Sequence, residues 1–132
     1  MLSETTSPQL VFRSLQFAKE EHEDEATNPG LFGRSLALWL GRELVPGFSP
    51  DDVLPEDFGW LVPVPASGCS LYVACSSTNE IADEWRLMVF AERSLRERLT
   101  TSDARPEAVA ELYARVRERV EADVGTFDAR EE

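Results

Sequence analysis

The stretch that decides the fold is LPEDFGWLVPVP, residues 54–65. Trp60, Val62 and Val64 fall on one parity, the two-residue period of a strand. Pro63 and Pro65 share the other parity, so both missing N–H groups face the same side. Proline is tolerated on an outer edge and blocks pairing there. The strand over residues 60–64, or at least its outer end, is therefore expected at the edge of a sheet. Ahead of it, Pro55, Glu56 and Asp57 have turn character and Gly59 permits an unusual backbone angle. Phe58 and Trp60 share parity and are expected to anchor the start of the strand to the core.

Working outward from this strand, Ser67-Gly68 reads as a hairpin turn into a strand over residues 70–76, with Leu71, Val73 and Cys75 inward. Residues 85–91 read as a further strand, with Trp85, Leu87, Val89 and Ala91 on one face and Arg86, Met88 and Phe90 on the other. A closing helix follows, capped by Asp103 or a neighbouring hydroxyl, with Pro106 in its first turn. Val109, Leu112, Tyr113, Val116 and Val120 make its buried stripe.

Upstream, residues 9–18 alternate moderately and give a first strand. KEEHEDEATNPG, residues 19–30, holds no apolar residue before Ala26 and reads as an exposed loop. Asn28 suits an N-cap and Pro29 a first helical position. Phe32, Leu36, Trp39, Leu40 and Leu44 form the stripe of that helix, which Pro46-Gly47 ends. Gly33, Ala37 and Gly41 run along its flank as a ridge that would let it lie close to a sheet. FSPDDVLPEDFG, residues 48–59, reads as loop with one helical turn opened by Ser49-Pro50. The order β-α-β-β-β-α predicts an α+β fold: a two-layer sandwich with a four-stranded, mostly antiparallel sheet and two helices on one face. At 132 residues the chain is expected to be a single domain, with residues 1–8 and 125–132 as flexible tails.

Charge narrows the function more than any motif does. There are 25 acids against 13 bases, a net charge of −12. Residues 1–85 hold 14 acids and 4 bases, a balance of −10, and no base lies between Arg42 and Arg86. Such a field repels nucleic-acid phosphates and anionic membranes, so neither is an expected partner. No apolar run reaches the roughly 18 residues of a membrane span, and the N-terminus lacks a basic-then-apolar leader. A cytoplasmic location is expected. Cys69 and Cys75, six residues apart on one strand, would stand roughly 20 Å from each other. A bridge needs about 7 Å or less, so both are expected as small apolar fillers.

His22 is the only histidine and lies in EEHED, where a solvated loop outweighs a metal site or general base. Asp51, Asp52, Glu56 and Asp57 flank residues 60–64, but SPDDVLPED does not match the calcium-loop register. No metal and no cofactor is expected. NPGLFG offers a glycine pair at a helix start without the further glycines or lysine of a phosphate loop. PEDFGW has no histidine, lysine or metal cluster beside it to divide acid and base roles, so no catalytic residue is assigned. Acids around a partly exposed aromatic do make a charged rim with an apolar anchor, as at binding hot spots.

NPGLFGRSLALWL, PEDFGW and the EW that opens a later strand together resemble a group of short bacterial proteins of unassigned function. Their pattern runs N-P-G, an aromatic, G, L-A-x-W-L and then P-E-D-W-G-W; here Phe58 replaces the usual Trp. The resemblance spans about residues 28–85 and implies an independent small domain. It brings no activity, cofactor or catalytic residue.

The expected function is a small acidic, non-catalytic protein-binding module, an inhibitor or immunity-type protein for a basic partner. Its contact residues would be Glu56, Asp57, Asp51, Asp52, Phe58 and Trp60, with Glu23 and Asp24 from the acidic loop. One alternative is a small enzyme or ligand-binding protein with an acidic pocket between the first helix and the sheet, rimmed by Glu56, Asp57 and Trp60. Another is a homo-oligomeric structural protein that pairs through Leu31 and Leu38.

Overall fold

The alternation around Val62 becomes a strand, but one with a neighbour on each side. The computed structural model describes residues 5–92 and 103–132. Among these the chain is α+β, with two α-helices and an antiparallel sheet of seven strands. The strands are β1 (Thr5–Thr6), β2 (Leu10–Arg13), β3 (Leu54–Glu56), β4 (Gly59–Val64), β5 (Ser70–Ser77), β6 (Glu84–Glu92) and β7 (Phe127–Glu131). Helix α1 spans Arg34–Leu44 and α2 spans Arg105–Ala122. The strand order is β3-β4-β5-β6-β2-β7, with β1 also beside β6.

Seven strands replace the expected four because three short, polar segments pair at the periphery. β3 hydrogen-bonds to β4 with Leu54 opposite Leu61 and Glu56 opposite Gly59, closing a hairpin around Asp57 and Phe58. Its three residues stop at Leu61, so the outer side of β4 is unpaired where Pro63 lacks its N–H. The end of the chain, expected as a tail, is β7. Its backbone pairs with β2, the Phe127 ring lies under the Arg13 guanidinium at 4.9 Å, and Arg130 Nη2 donates to Glu84 at 3.0 Å. FDARE carries no apolar alternation that could announce it. At the front, Thr5–Thr6 pairs with β6, while residues 1–4 of the expected tail lie outside the described residues.

Strands β2, β4, β5 and β6 each send one parity into a common core with the helices. Leu10 and Phe12 of β2, Trp60 and Val62 of β4, Leu71, Val73 and Cys75 of β5, and Trp85, Leu87 and Val89 of β6 are all buried. Leu36, Ala37, Leu40 and Leu44 of α1 and Val109, Leu112, Val116 and Val120 of α2 join the same cluster. α1 packs against β4 and β5, and α2 against β6 and β1. Both cysteines are buried and free, and burial pushes the Cys75 thiol up. Trp85 anchors the centre: its indole Nε1 donates to the Ser14 carbonyl at 3.1 Å, and its ring meets Phe17 edge-on at 5.9 Å.

One expected boundary moves, for a local reason. Helix α1 begins at Arg34 rather than Pro29, because Leu31 N donates to the Asn28 carbonyl and turns the chain at Gly30, φ +85°. Its first N–H groups are then capped from ten residues upstream, where Glu23 Oε2 accepts from Gly33 N at 2.8 Å and Arg34 N at 2.9 Å. A carboxylate there also meets the positive end of the helix dipole. The small-residue ridge divides its work: Gly33 backs onto the Cys75 carbonyl of β5, whereas Gly41 makes room for the ring of Phe48, not for the sheet. Pro50–Asp52 forms the expected single helical turn, closed by a capping box between Ser49 and Asp52. For α2, Asp103 Oδ1 accepts from Arg105 N at 3.0 Å; the hydroxyls at residues 100–102 lie outside the described residues.

Candidate functional site

The second parity of the sheet carries apolar side chains that join no shared core. Leu54, Leu61, Ala74 and Met88 lie opposite one another in a row across β3, β4, β5 and β6. Beside them runs a second row, Pro63, Tyr72, Phe90 and Thr6, across β4, β5, β6 and β1. None of the apolar residues in these rows belongs to the cluster built with α1 and α2. Tyr72 and Phe90 stack, centroids 5.2 Å apart and planes at 22°. Cross-strand aromatic pairs of this kind stabilise a sheet and present a broad apolar top.

Along the strands the same face changes character. A third row sets Ser76 opposite Arg86 and Arg86 opposite Val11, and beyond it Arg13 lies opposite Glu84. Glu84 is buried and accepts from Thr78 Oγ1 at 2.7 Å and from Arg130 Nη2 at 3.0 Å. The Thr78 hydroxyl first, and then Arg130, hold its carboxyl below the usual range. Asp83 is lowered likewise by its hydrogen bonds from Arg13, the shorter at 2.8 Å. This end of the sheet is closed by its own ion pairs. Among the described residues the other end is open.

The open part is concave. Three depressions adjoin along it, of about 570, 450 and 330 Å³. The first meets the second at Leu54 and Tyr72, and the second meets the third at Phe58 and Met88. The β3–β4 hairpin forms the wall they share. Leu54 and Phe58 on it are 44% and 50% exposed, the kind of apolar surface that marks a contact site when contiguous.

Carboxylates rim this groove. Asp51 and Asp52 line the first depression, and Glu56 and Glu92 the second. Glu56 and Glu92 are exposed and take no ion-pair partner among the described residues. Among the described residues, Arg86 is the one base that lines the three, in the third depression.

Of the residues singled out in the sequence, Asp51, Asp52, Glu56 and Phe58 thus come together on one face. Asp57, at the hairpin tip, is exposed, and its carbonyl accepts from Asn28 Nδ2 at 2.7 Å. Asp24 lies on the loop before α1 and accepts from Gly30 N at 2.8 Å. Two others are turned inward. Trp60 is buried in the core, with Arg34 over its ring at 5.9 Å, and Glu23 is the buried cap of α1.

Phe58 does not share the side of Trp60, since the hairpin turn and Gly59, φ +139°, intervene and break the alternation. Glu56, Asp57 and Trp60 therefore do not converge on one pocket, and the space between α1 and the sheet is filled by core side chains. Leu38 packs against that core, and Leu31 borders the third depression. His22 is exposed, with Nδ1 at 2.6 Å from Glu25 Oε2. Among the described residues no group of three or more histidine, cysteine or acidic side chains could hold a metal ion, and no helix is long and apolar enough to cross a membrane.

The residues that sequence reasoning missed are Leu54, Leu61, Tyr72, Met88, Phe90 and Glu92. For all but Glu92 the signal was large apolar residues on both parities of neighbouring strands, of which one parity joins the core of the two described helices. Compared with protein-family models, curated proteins and solved structures, the chain finds no match.

Proposed function

We propose that this chain is a non-catalytic, acidic protein-binding module that receives a basic partner on the groove of its sheet, as an inhibitor or immunity-type protein would. The reading takes the fold as two layers, with both helices on one side of the sheet; the single core shared by α1, α2 and one parity of the strands supports this. One observation carries the functional reading: exposed Leu54 and Phe58 adjoin Tyr72, Met88 and Phe90 in a continuous depression whose carboxylates lack ion-pair partners among the described residues. An apolar centre with a charged rim is the anatomy of a protein interface. The net charge of −12 adds long-range attraction for a cationic surface, strongest at low salt.

The test is retention of proteins from a host lysate on immobilised wild type and on Phe58→Arg, each at low and high salt. A basic protein held by wild type at low salt, released at high salt and not held by the variant is the expected result. Identical retention by both forms, or no basic protein in either condition, would sink the reading.

A further inference from the structure

Several aromatic rings elsewhere among the described residues are covered by cations of the same chain. Arg13 lies over Phe127, Lys19 over Phe32 and Trp85, Arg34 over Trp60, and Arg119 over Trp39, at 4.9 to 5.9 Å from the ring centres. Some acids elsewhere are matched in the same way, with Asp83 on Arg13, Glu84 on Arg130, Glu43 on Arg119 and Glu131 on Arg117. The depression of about 450 Å³ carries neither kind of partner among the described residues. Phe58, Tyr72 and Phe90 line it together with Glu56 and Glu92, and among the described residues no cation stands over those rings or beside those carboxylates.

We infer that this depression is a receptor for one arginine side chain of the partner. The inference rests on the proposed docking face and names the group that anchors it. A guanidinium is planar and weakly hydrated, so it can add a further layer to the Tyr72–Phe90 stack. Its five N–H donors suit the carboxylates that line the depression, Glu56 from β3 and Glu92 from the end of β6. The methylene stem of arginine matches the apolar floor of Leu61 and Met88. A lysine ammonium would keep more of its water and could not stack.

The probe is the pentapeptide acetyl-Gly-Leu-Arg-Leu-Gly-amide, with a counterpart in which citrulline replaces arginine at the same shape and no charge. Both are titrated into the full chain, labelled with ¹⁵N, and followed by amide resonances. The expected result is saturable shifts centred on Phe58, Tyr72 and Phe90, with about tenfold weaker binding of the citrulline peptide. Glu56→Gln/Glu92→Gln, two exposed positions, should weaken the arginine peptide by about the same factor while leaving the melting temperature unchanged. Phe58→Ala should weaken it severalfold through the ring alone.

Equal response to citrulline, shifts centred elsewhere, or no response would overturn the arginine site. The pull-down contrast with Phe58→Arg is independent of these titrations, because an apolar or lysine-based anchor would still give it.

Discussion

The two faces of β5 and β6 are made by the same two strands, yet they differ in kind. On one face Leu71, Val73, Cys75, Trp85, Leu87 and Val89 meet two helices and are buried to the last few per cent. On the other, Tyr72, Met88 and Phe90 are half-buried and lie outside the core that the two described helices share. Strand propensity asks only for β-branched and aromatic residues and does not say which face will be covered. The difference shows that the second face was given apolar side chains beyond what a solvated sheet surface needs.

Substitutions can break or sharpen that contrast, and the largest effect should fall on the covered face. Trp85→Ala removes a fully buried ring and strands the Ser14 carbonyl, costing about 3–5 kcal/mol in urea unfolding. Gly59→Ala, at the border between the faces, forces a side chain onto φ +139° and into the Cys75 carbonyl; a loss of about 3 kcal/mol is expected by the same measurement. Glu23→Ala uncaps α1 and leaves Gly33 and Arg34 N–H without their acceptor, for about 1–2 kcal/mol.

On the open face, the ionic end should respond to pH. Glu84 titrates below its ordinary 4.5 in the folded chain, so its contribution is complete above that value and is lost as pH falls through the lower folded one. Wild type and Glu84→Gln should therefore converge in stability on acidification; a gap independent of pH would remove the role assigned to Thr78 and Arg130. Smallest in stability is Phe58→Ala, within about 1 kcal/mol because the ring is half exposed. Its cost should appear in binding instead.

Much of the covered face was legible in the sequence. β4, β5 and β6 and the stripes of both helices follow from apolar residues at periods near 2 and 3.6. What was not legible has physical causes. Glu23 lies in a run of acids that a local reading assigns to solvent, and only the chain reversal at Gly30 brings it to the start of α1. β3 is held by backbone pairing, and β7 by backbone pairing and ion pairs, rather than by side-chain alternation, so FDARE and LPE carry no periodic mark.

For the candidate site, the acids near Phe58 stood out as a patch, whereas its aromatic floor needed the sheet register. Tyr72 and Phe90 are 18 positions apart and become neighbours only in the β5–β6 ladder. The resembled segments have a structural account as well. Asn28 bonds the Asp57 carbonyl, and Gly33 and Gly59 both abut the Cys75 carbonyl, so NPG-x-F-G and PEDFGW clasp one point of β5.

The pairing of β2 with β7 has a kinetic consequence. Leu10 meets Glu131, and the Gln9 and Glu132 backbones exchange hydrogen bonds of 3.3 and 2.8 Å, across nearly the whole length of chain. Contacts so remote in sequence carry a large closure entropy and form after the β4–β5–β6 meander, whose turns are local. Loosening β7, for example by Arg130→Ala, should therefore quicken unfolding and leave the refolding rate nearly unchanged, so that the last ladder to zip governs how long the native molecule lives.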